Sequence, residues 1–569
     1  MPRITREMCS HWFASASLLV NAALLVFYIP VPIYYLEHKV MLPLNLPPLL
    51  PPYASILISS VAFIATVILS CGKTITWKHI LVVLVLAWAL PEVYQYLAPS
   101  LLLLATLYLY MNRIGYLWRS LLTLASVLSS VILSLSLLSF LSPLFPSPSL
   151  PTFSAFFKYA IGLNLFPTAL YPPLTLTYFV MAPLSVLYLI VKRPPIPSAS
   201  RNPTRSSLFP LLLILLLSTA LSLIPHLPQV NPSWKMIGVD SPHYVQYAEA
   251  VASRTIGNNP VGSLYPLNTE RPLTILLIYA LSLAVGVEPA VKIFPVLLST
   301  LFTASSFLLA RSVFRDERAS ILSAFFAATS FNLTAGYYSA ILANWLSLSF
   351  AFLYFSLWIG EDKSLKRSVY SFILLTLCWL SHAWTWDFVL LISAAYIAVM
   401  AILERQTLRL SFLASKKYHI LPLVASFALD RLKVALVGTG GAIEAGTSVS
   451  VHYLGAEYLL SSFKNLVFSF QFYVGGFYSN LLVTLLILVG VFLILRGVDR
   501  RKLLLLCWVS VLAVPFLIID LELIWRILFL LPAPLICGYT LSRSNTKLFY
   551  ILAFLWQINY VVYCLTGLF

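Results

Sequence analysis

Acidic side chains are scarce in this chain of 569 residues. It holds 19 Asp and Glu residues against 36 Lys and Arg residues, and charged residues make up only 10% of the sequence. Hydrophobic residues make up 60%, and the mean hydropathy is +0.91. This composition excludes a soluble globular protein, because apolar runs of about 20 residues recur along the chain. We therefore predict an all-α fold, a polytopic transmembrane helical bundle.

Two further absences narrow the class of protein. The six cysteines form no Cys-x-x-Cys pair, which excludes the usual metal and disulfide frameworks. The net charge of +17 does not indicate a nucleic-acid partner, because the Lys and Arg residues lie in short loops between apolar runs, where membrane topology requires them.

The predicted topology rests on positive loops, rich in Lys and Arg, at 73–78, 113–119, 192–205, 311–318, 363–367, 405–417, 496–502 and 543–547. Placing them in the cytoplasm gives a cell-membrane protein with a cytoplasmic N-terminus and about 17 spans, the first of them retained and not a removed signal peptide. The predicted spans are 12–36, 53–71, 78–92, 94–111, 118–142, 171–191, 208–226, 289–310, 319–339, 342–360, 368–382, 385–403, 419–437, 481–496, 503–519, 523–541 and 548–566.

The spans group into regions. Residues 1–191 form a six-span region of unknown role, 192–207 a basic linker rich in Pro and Ser, and 208–569 a core with extracytoplasmic loops at 227–272 and 438–480. The apolar segment from Leu273 to Gly286 is too short to cross the membrane. If it did cross, the positive loop at 311–318 would lie outside the cell. We therefore predict an interfacial or re-entrant segment.

The first large polar loop of the core carries an unusual acid. Only Glu7, Glu37 and Glu92 precede Asp240, which stands in the segment Gly-Val-Asp-Ser-Pro-His-Tyr at 238–244. Pro suits the first position of a helix, so Ser241 is the predicted N-cap, which leaves the Asp240 carboxylate available for chemistry. The alternative is that Asp240 itself caps the helix and has no chemical role.

This loop and four later motifs resemble the GT-C superfamily of polytopic glycosyltransferases, such as protein O-mannosyltransferases and aminoarabinose transferases. The motifs are Gly-Val-Asp-Ser-Pro-His-Tyr at 238–244, Glu-Arg-Pro-Leu-Thr at 270–274, Asn-Trp-Leu at 344–346, Ser-His-Ala-Trp-Thr-Trp at 381–386 and Trp-Arg-Ile-Leu-Phe-Leu-Leu-Pro at 525–532. The resemblance covers residues 208–569. The Trp-Trp-Asp signature and large soluble C-terminal domain of oligosaccharyltransferase catalytic subunits are absent, which disfavours asparagine-linked glycan transfer.

The resemblance implies a sugar donor linked to polyprenyl or dolichyl phosphate, or to pyrophosphate. It implies Asp240 as catalytic base or metal ligand, with Glu270 as an auxiliary acid. The predicted ligands of the lipid phosphate and sugar are Arg526, Arg271, His243, His382, Trp384, Tyr244 and Asn344. No cofactor is assigned, and the alternative is Mg²⁺ or Mn²⁺ held by Asp240, Asp520 and Glu522.

Several of these residues have a simpler interpretation. Trp384 and Trp386 suit an aromatic belt at the membrane interface, and Arg526 suits either snorkelling or a pair with Asp520 or Glu522. Asp430 is predicted to pair with Arg431 or Lys433, in a structural role or along a lipid entry path. Asn332, Leu333 and Thr334 form a glycosylation sequon, and the pattern alone does not decide whether Asn332 carries a glycan.

The sequence is compatible with three functions. The leading one is a transferase whose partners are the lipid-linked donor, membrane lipids and a lipid, glycan or protein acceptor. The alternatives are a lipid-linked sugar flippase or other transporter, and a non-catalytic membrane scaffold. A transporter would show internal repeats and midplane polar groups, and the sequence shows no repeat.

Overall fold

The computed structural model describes residues 33–35, 38–40, 182–183, 185–191, 208–255, 271–360, 364–404, 416–437, 480–513, 524–544 and 547–566. The chain divides into two compact units. One unit comprises Met1–Tyr178, Leu466–Thr484 and Lys547–Trp556, and the other comprises Phe179–Asn465, Leu485–Thr546 and Gln557–Phe569. All the residues of the candidate site belong to the second unit.

The described part of the chain is mostly helical. In chain order the helices are α1 (Leu208–Leu223), continued by a 3₁₀ turn at Ile224–His226, α2 (Ser241–Thr255), α3 (Pro272–Val285), α4 (Val287–Phe314), α5 (Glu317–Ala328), α6 (Phe331–Ser339), α7 (Leu342–Trp358), α8 (Leu365–Ser381), α9 (Ala383–Leu403), α10 (Lys417–Val437), α11 (Leu481–Arg496), α12 (Leu503–Ala513), α13 (Ile524–Leu528), α14 (Ala533–Ser542) and α15 (Lys547–Thr566).

A short hairpin departs from the all-α prediction. Strands β1 (Ile33–Tyr35) and β2 (His38–Val40) pair antiparallel, with Ile33 opposite Val40. The prediction that the first span continues helical to residue 36 is therefore wrong. Pro32 precedes the Ile-Tyr-Tyr run of β1, and proline followed by β-branched and aromatic residues favours extended backbone.

Four segments in the described part of the chain are long and apolar enough to cross a membrane. They are Leu208–His226, Val287–Phe314, Glu317–Ser339 and Ala383–Leu403. Each overlaps a predicted span, as expected of a membrane protein. The first five predicted spans, apart from the hairpin, lie outside the described residues, as do the linker and, apart from Asn480, the loop at 438–480. The count of about 17 spans therefore stays a prediction.

Two predicted single spans are broken. The 319–339 stretch is divided between α5 and α6, because the Ser330 hydroxyl accepts from the Asn332 amide at 3.1 Å and starts a new helix. The 523–541 stretch is divided between α13 and α14 at Pro532, which has no amide hydrogen to continue a helix. Hydropathy alone predicted continuous helices in both places.

Helix α3 occupies the segment predicted to be interfacial or re-entrant. Its 14 residues extend about 21 Å, which is short of a bilayer core. Near its start the Thr274 hydroxyl donates to the Ser381 carbonyl, and just beyond its end Lys292 of α4 donates to the Trp234 carbonyl. Both ends thus lie beside segments predicted to be extracytoplasmic, an arrangement typical of an interfacial helix.

The core of the second unit is built around α4, which packs against α1, α5 and α7. Aromatic rings fill the space between helices. The ring centroid of Phe352 of α7 lies 5.2 Å from that of Phe302 and 5.4 Å from that of Trp508. The Trp508 indole also donates to the Leu530 carbonyl at 3.0 Å, which holds the segment after α13 against the core. This packing fixes the position of α13 and its arginine.

Candidate active site

The loop that carries Asp240 is attached to the end of α6. The amides of Val239 and Asp240 donate to the carbonyls of Tyr338 and Ser339 at 2.9 and 3.2 Å. Gly238 permits this approach, because its φ is +94° and an added Cβ would lie 2.4 Å from the Tyr337 carbonyl oxygen. Glycine is the residue that adopts this backbone without strain.

Helix α2 begins directly after Asp240. The Asp240 carbonyl accepts from the amides of His243 and Tyr244 at 3.1 and 3.3 Å, so Asp240 occupies the cap position of the backbone. The prediction of Ser241 as N-cap is wrong: Ser241 is the first helical residue, and its hydroxyl donates back to the Ile237 carbonyl. Among the described residues, no first-turn amide donates to the Asp240 carboxylate.

The Asp240 carboxylate faces Arg526. Its Oδ2 lies 3.9 Å from Nη2 of Arg526, and the two side chains keep 21% and 23% of their exposure. That distance is longer than a hydrogen bond, and such partly exposed pairs contribute about 1 kcal/mol or less. The contact therefore brings the two charges together without a direct hydrogen bond between them.

Tyr244 and Arg271 extend the cluster. Nη1 of Arg271 donates to the Tyr244 hydroxyl at 3.2 Å, and the same hydroxyl accepts from the Ala343 amide at 3.1 Å. Tyr244 is 1% exposed, so its position is fixed by packing. The Tyr244 phenol raises the pKa of Arg271 against the opposing effect of burial, and Asp240 raises that pKa further, which keeps the guanidinium charged.

His382 lies between α8 and α9 and is buried. Its Nδ1 accepts from the Thr385 amide at 3.3 Å, so the imidazole caps α9. The neighbouring Ser381 carbonyl accepts from the Thr274 hydroxyl at 3.2 Å, which places His382 near the start of α3, directly after Arg271. The structure thus places Asp240, Tyr244, Arg271, His382 and Arg526 in one neighbourhood, although the sequence distributes them over four separate segments.

The other predicted site residues lie in varied surroundings. His243 is exposed on α2, Trp384 is half-buried on α9, and Asn344 is buried on α7 beside Ala343. Trp386 is fully buried, and its indole donates to the Ser426 hydroxyl at 2.7 Å, so the interpretation of this residue as part of an aromatic belt is wrong. Glu270, Asp520 and Glu522 lie outside the described residues.

The predicted metal ligands are only partly described. Asp240 is the one member of the set of Asp240, Asp520 and Glu522 in the described part of the chain, and its carboxylate faces a guanidinium. Across the same described residues, no group of three His, Cys, Asp or Glu side chains is placed to hold a metal ion. Because Asp520 and Glu522 lie outside the described residues, the alternative of Mg²⁺ or Mn²⁺ held by these three carboxylates stays a prediction.

Two other sequence features have structural explanations. Asp430 is fully buried, accepts from the Trp379 indole at 3.0 Å and pairs with Arg431, as the structural interpretation predicts. Asn332 is also fully buried, and its amide donates to the Phe529 carbonyl at 2.9 Å. The Asn332 side chain thus has a packing role in the folded chain, and its burial predicts that the sequon is not modified.

Sequence reasoning missed the residues that support the Asp240 loop. Lys292 is 3% exposed, pairs with Glu288 at 2.6 Å and donates to the Trp234 carbonyl. The only sequence signal was a lysine within an apolar run. The carbonyls of Tyr338 and Ser339 left no signal, because backbone acceptors are independent of residue type.

No protein-family model and no curated protein matches the chain. Among solved structures, the archaeal oligosaccharyltransferase AglB from Archaeoglobus fulgidus, in complex with an inhibitory peptide and a dolichol-phosphate, matches at 14% identity and a TM-score of 0.38. The match covers 63% of this chain and 55% of that one. A likeness this slight carries no functional conclusion.

Proposed function

We propose that this chain is an inverting membrane glycosyltransferase that moves a sugar from a polyprenyl-phosphate or pyrophosphate carrier to an acceptor at the extracytoplasmic face. The observation that carries the proposal is the meeting of the Asp240 carboxylate and the Arg526 guanidinium, with Arg271 nearby. The five sequence motifs that resemble GT-C enzymes support the same function.

Asp240 acts as the general base. Its carboxylate takes the proton of the acceptor hydroxyl while the acceptor oxygen forms a bond to the anomeric carbon of the sugar. The bond from that carbon to the carrier phosphate oxygen breaks, and its electron pair leaves with the phosphate. Because Asp240 is held through its backbone and its carboxylate has no capping role in the described residues, the side chain is available for this transfer.

Arg526 stabilises the departing phosphate. A guanidinium presents a planar set of N–H donors to phosphate oxygens and keeps its charge at every relevant pH. The Arg526 side chain keeps 23% of its exposure beside Asp240, so part of it stays open to an incoming phosphate. Contacts that strengthen as charge develops contribute several kcal/mol, of the order of 3, to transition-state stabilisation.

Arg271 and His382 complete the binding surface. The Tyr244 hydroxyl orients Arg271, and the Thr385 amide orients His382, so neither side chain has to be ordered when the donor binds. Glu270 is proposed as an auxiliary acid, and His243, Trp384 and Asn344 are proposed to bind the lipid phosphate or the sugar. The first six spans are proposed as a separate membrane region.

The test uses the purified full chain and labelled polyprenyl-phosphate sugars offered with lipid, glycan and peptide acceptors. We expect wild type to consume one donor and Asp240→Asn to consume it at least about a hundredfold more slowly. Arg526→Lys keeps the positive charge but removes the planar set of N–H donors, so we expect it to retain partial activity. Arg526→Gln removes the charge as well, and we expect it to be inactive.

A matched control separates chemistry from surface charge. Glu249→Gln removes a carboxylate from an exposed position of α2, so consumption should match wild type. Transport of the lipid-linked sugar that is unaffected by Asp240→Asn would support the flippase instead. Labelling of His243→Cys by a membrane-impermeant reagent only from the cytoplasmic side would rule out the proposed active face.

A further inference from the structure

Three charged side chains lie near the end of α10, a helix predicted to cross the membrane. Asp430 is the only acid of α10 and is followed by Arg431 and Lys433, so one negative and two positive charges give this group a net charge of +1. Lys433 precedes the last residue of α10, Val437, by about 6 Å of helical rise. The positive loop at 405–417 predicts that α10 starts in the cytoplasm, so the group lies toward the extracytoplasmic end. A net charge at this depth is costly unless an anion offsets it.

The two positive charges have different neighbours. Arg431 pairs with the fully buried Asp430 carboxylate, and its Cζ lies 5.7 Å from the ring centroid of Phe427. The Lys433 ammonium lies 5.6 Å from the ring centroid of Trp379 of α8. Because one carboxylate offsets one of the two cations, the excess positive charge lies at the boundary between α8 and α10.

The helix face that carries Arg431 is apolar and open. Leu421, Val424 and Phe427 recur every three residues, and these three side chains and Leu432 are each more than 40% exposed. Such a stripe on a predicted span is typical of a surface that faces lipid chains. The Arg431 side chain keeps 34% of its exposure on this face. A molecule that suits the surface therefore has a long apolar chain and one anionic group.

The group lies close to the candidate active site along α8. Trp379 is three residues before His382, about 4.5 Å by helical rise. The Ser381 carbonyl accepts from the Thr274 hydroxyl of α3, and Arg271 directly precedes α3. Basic side chains thus occur both on the lipid-facing stripe and beside the candidate active site, with the outer end of α8 between them.

We infer that Arg431 and Lys433 bind the phosphate of the polyprenyl-phosphate carrier as it enters laterally from the bilayer, with its prenyl chain along the exposed stripe of α10. The phosphate offsets the net positive charge of the group. The inference rests on the proposed function for the identity of the lipid, and it gives the carrier a contact apart from Arg526 and Arg271. Its test measures binding, so it does not depend on turnover.

The binding test uses native mass spectrometry of the purified full chain with polyprenyl phosphate and with polyprenol of the same chain length, which lacks only the phosphate. An Arg526→Gln background removes the phosphate contact proposed for the active site. We expect this parent to prefer polyprenyl phosphate, and Lys433→Met in the same background to lower that preference about tenfold. Lys433→Arg keeps the charge and should keep the preference.

The choice of residue protects the fold. Methionine matches the length of lysine and suits an apolar helix, whereas Arg431→Met would leave the buried Asp430 carboxylate without its guanidinium. Lys433→Gln removes the same charge with a polar side chain and should give the same loss, so the result does not depend on one variant folding.

Lys417→Met is the matched control. Lys417 lies at the other end of α10, about 24 Å from Lys433 by helical rise, and its ammonium lies 5.1 Å from the ring centroid of Tyr418. Each substitution therefore removes one charge and one contact with an aromatic ring. We expect Lys417→Met to keep the preference of the parent. An equal loss in Lys417→Met and Lys433→Met, or an unchanged preference in Lys433→Met, would overturn the inference.

Two further measurements define the ligand and separate this inference from the proposed function. If phosphatidic acid is preferred over diacylglycerol with the same dependence on Lys433, the group binds anionic lipids in general and its assignment to the carrier is overturned. With Arg526 intact, Lys433→Met is expected to raise the KM of the donor about tenfold and to leave kcat within about twofold. A wild type without turnover would contradict the proposed function, and the binding result would still decide the inference.

Discussion

The carboxylate of Asp240 lies 3.9 Å from the guanidinium of Arg526, and each side chain is held by a different part of the fold. Asp240 is held through backbone hydrogen bonds to the end of α6, whereas α13 is followed by a segment that hydrogen-bonds to Trp508 of α12. The two supports are joined by the bond from Asn332 of α6 to the Phe529 carbonyl after α13, so substitutions in either support are expected to change the distance between the two charges.

Gly238 controls the position of the Asp240 loop. Gly238→Ala would place a Cβ 2.4 Å from the Tyr337 carbonyl oxygen and 2.6 Å from Cβ of Ala340, at a φ of +94°. We expect a loss of at least about 3 kcal/mol of stability and loss of transfer activity. Thermal unfolding in detergent and the transfer assay measure the two effects.

Gly286→Ala is the control for backbone strain alone. Its φ is +87°, but the nearest atom to an added Cβ is Cδ of Pro289 at 3.8 Å. We expect a cost of about 1–2 kcal/mol, with activity retained at temperatures where the variant is folded. Equal effects of the two substitutions would contradict the role assigned to the contact of Gly238 with α6.

Tyr244 links Arg271 to the backbone of α7. Tyr244→Phe removes the acceptor of both Nη1 of Arg271 and the Ala343 amide, and the loss of a buried acceptor costs about 1–3 kcal/mol. We expect weaker donor binding in addition to lower stability, measured as a higher KM. Tyr370→Phe changes a tyrosine that is 49% exposed, and it should leave both quantities unchanged.

We expect Asp430 to contribute to the stability of the fold and not to the transfer reaction. Asp430→Ala removes the acceptor of the Trp379 indole and the partner of Arg431, at a cost of about 3 kcal/mol. Asp430→Asn keeps an oxygen for the indole and should cost less. Turnover per folded molecule should match wild type for both variants, and a selective loss of turnover would instead indicate a role in lipid entry.

The sequon at Asn332 should remain unmodified. Thr334→Ala removes the sequon and leaves the bond from Asn332 to the Phe529 carbonyl, so gel mobility after expression in a glycosylating host should not change. Asn332→Asp replaces the donor by an acceptor opposite a carbonyl, and we expect a loss of at least about 2 kcal/mol. A mobility shift that disappears in Thr334→Ala would contradict the buried placement.

Apolar length predicted the helices of the second unit well wherever a helix is continuous. The predicted span 208–226 coincides with the apolar segment Leu208–His226, because a long run of leucines leaves no alternative to a helix. Hydropathy did not predict the break at Ser330, since a serine in an apolar run has little effect on the average. Its capping hydrogen bond, which depends on local geometry, ends one helix and starts the next.

The site was predicted only in outline. Scarcity of acids singled out Asp240, and the motif around Arg526 singled out its guanidinium, but no sequence pattern gives the distance between residues on different helices. The capping role of His382 and the contact of Tyr244 with the Ala343 amide depend on that packing as well. Hydropathy and motif spacing carry no information on either contact.

The most direct test of the central claim compares the turnover of a labelled polyprenyl-phosphate sugar by wild type and Asp240→Asn, at equal amounts of folded protein. The proposed base predicts that kcat falls at least about a hundredfold while carrier binding, measured in the same samples, stays within about twofold, because Arg526 and Arg271 remain in place. Equal turnover by the two proteins would contradict the claim.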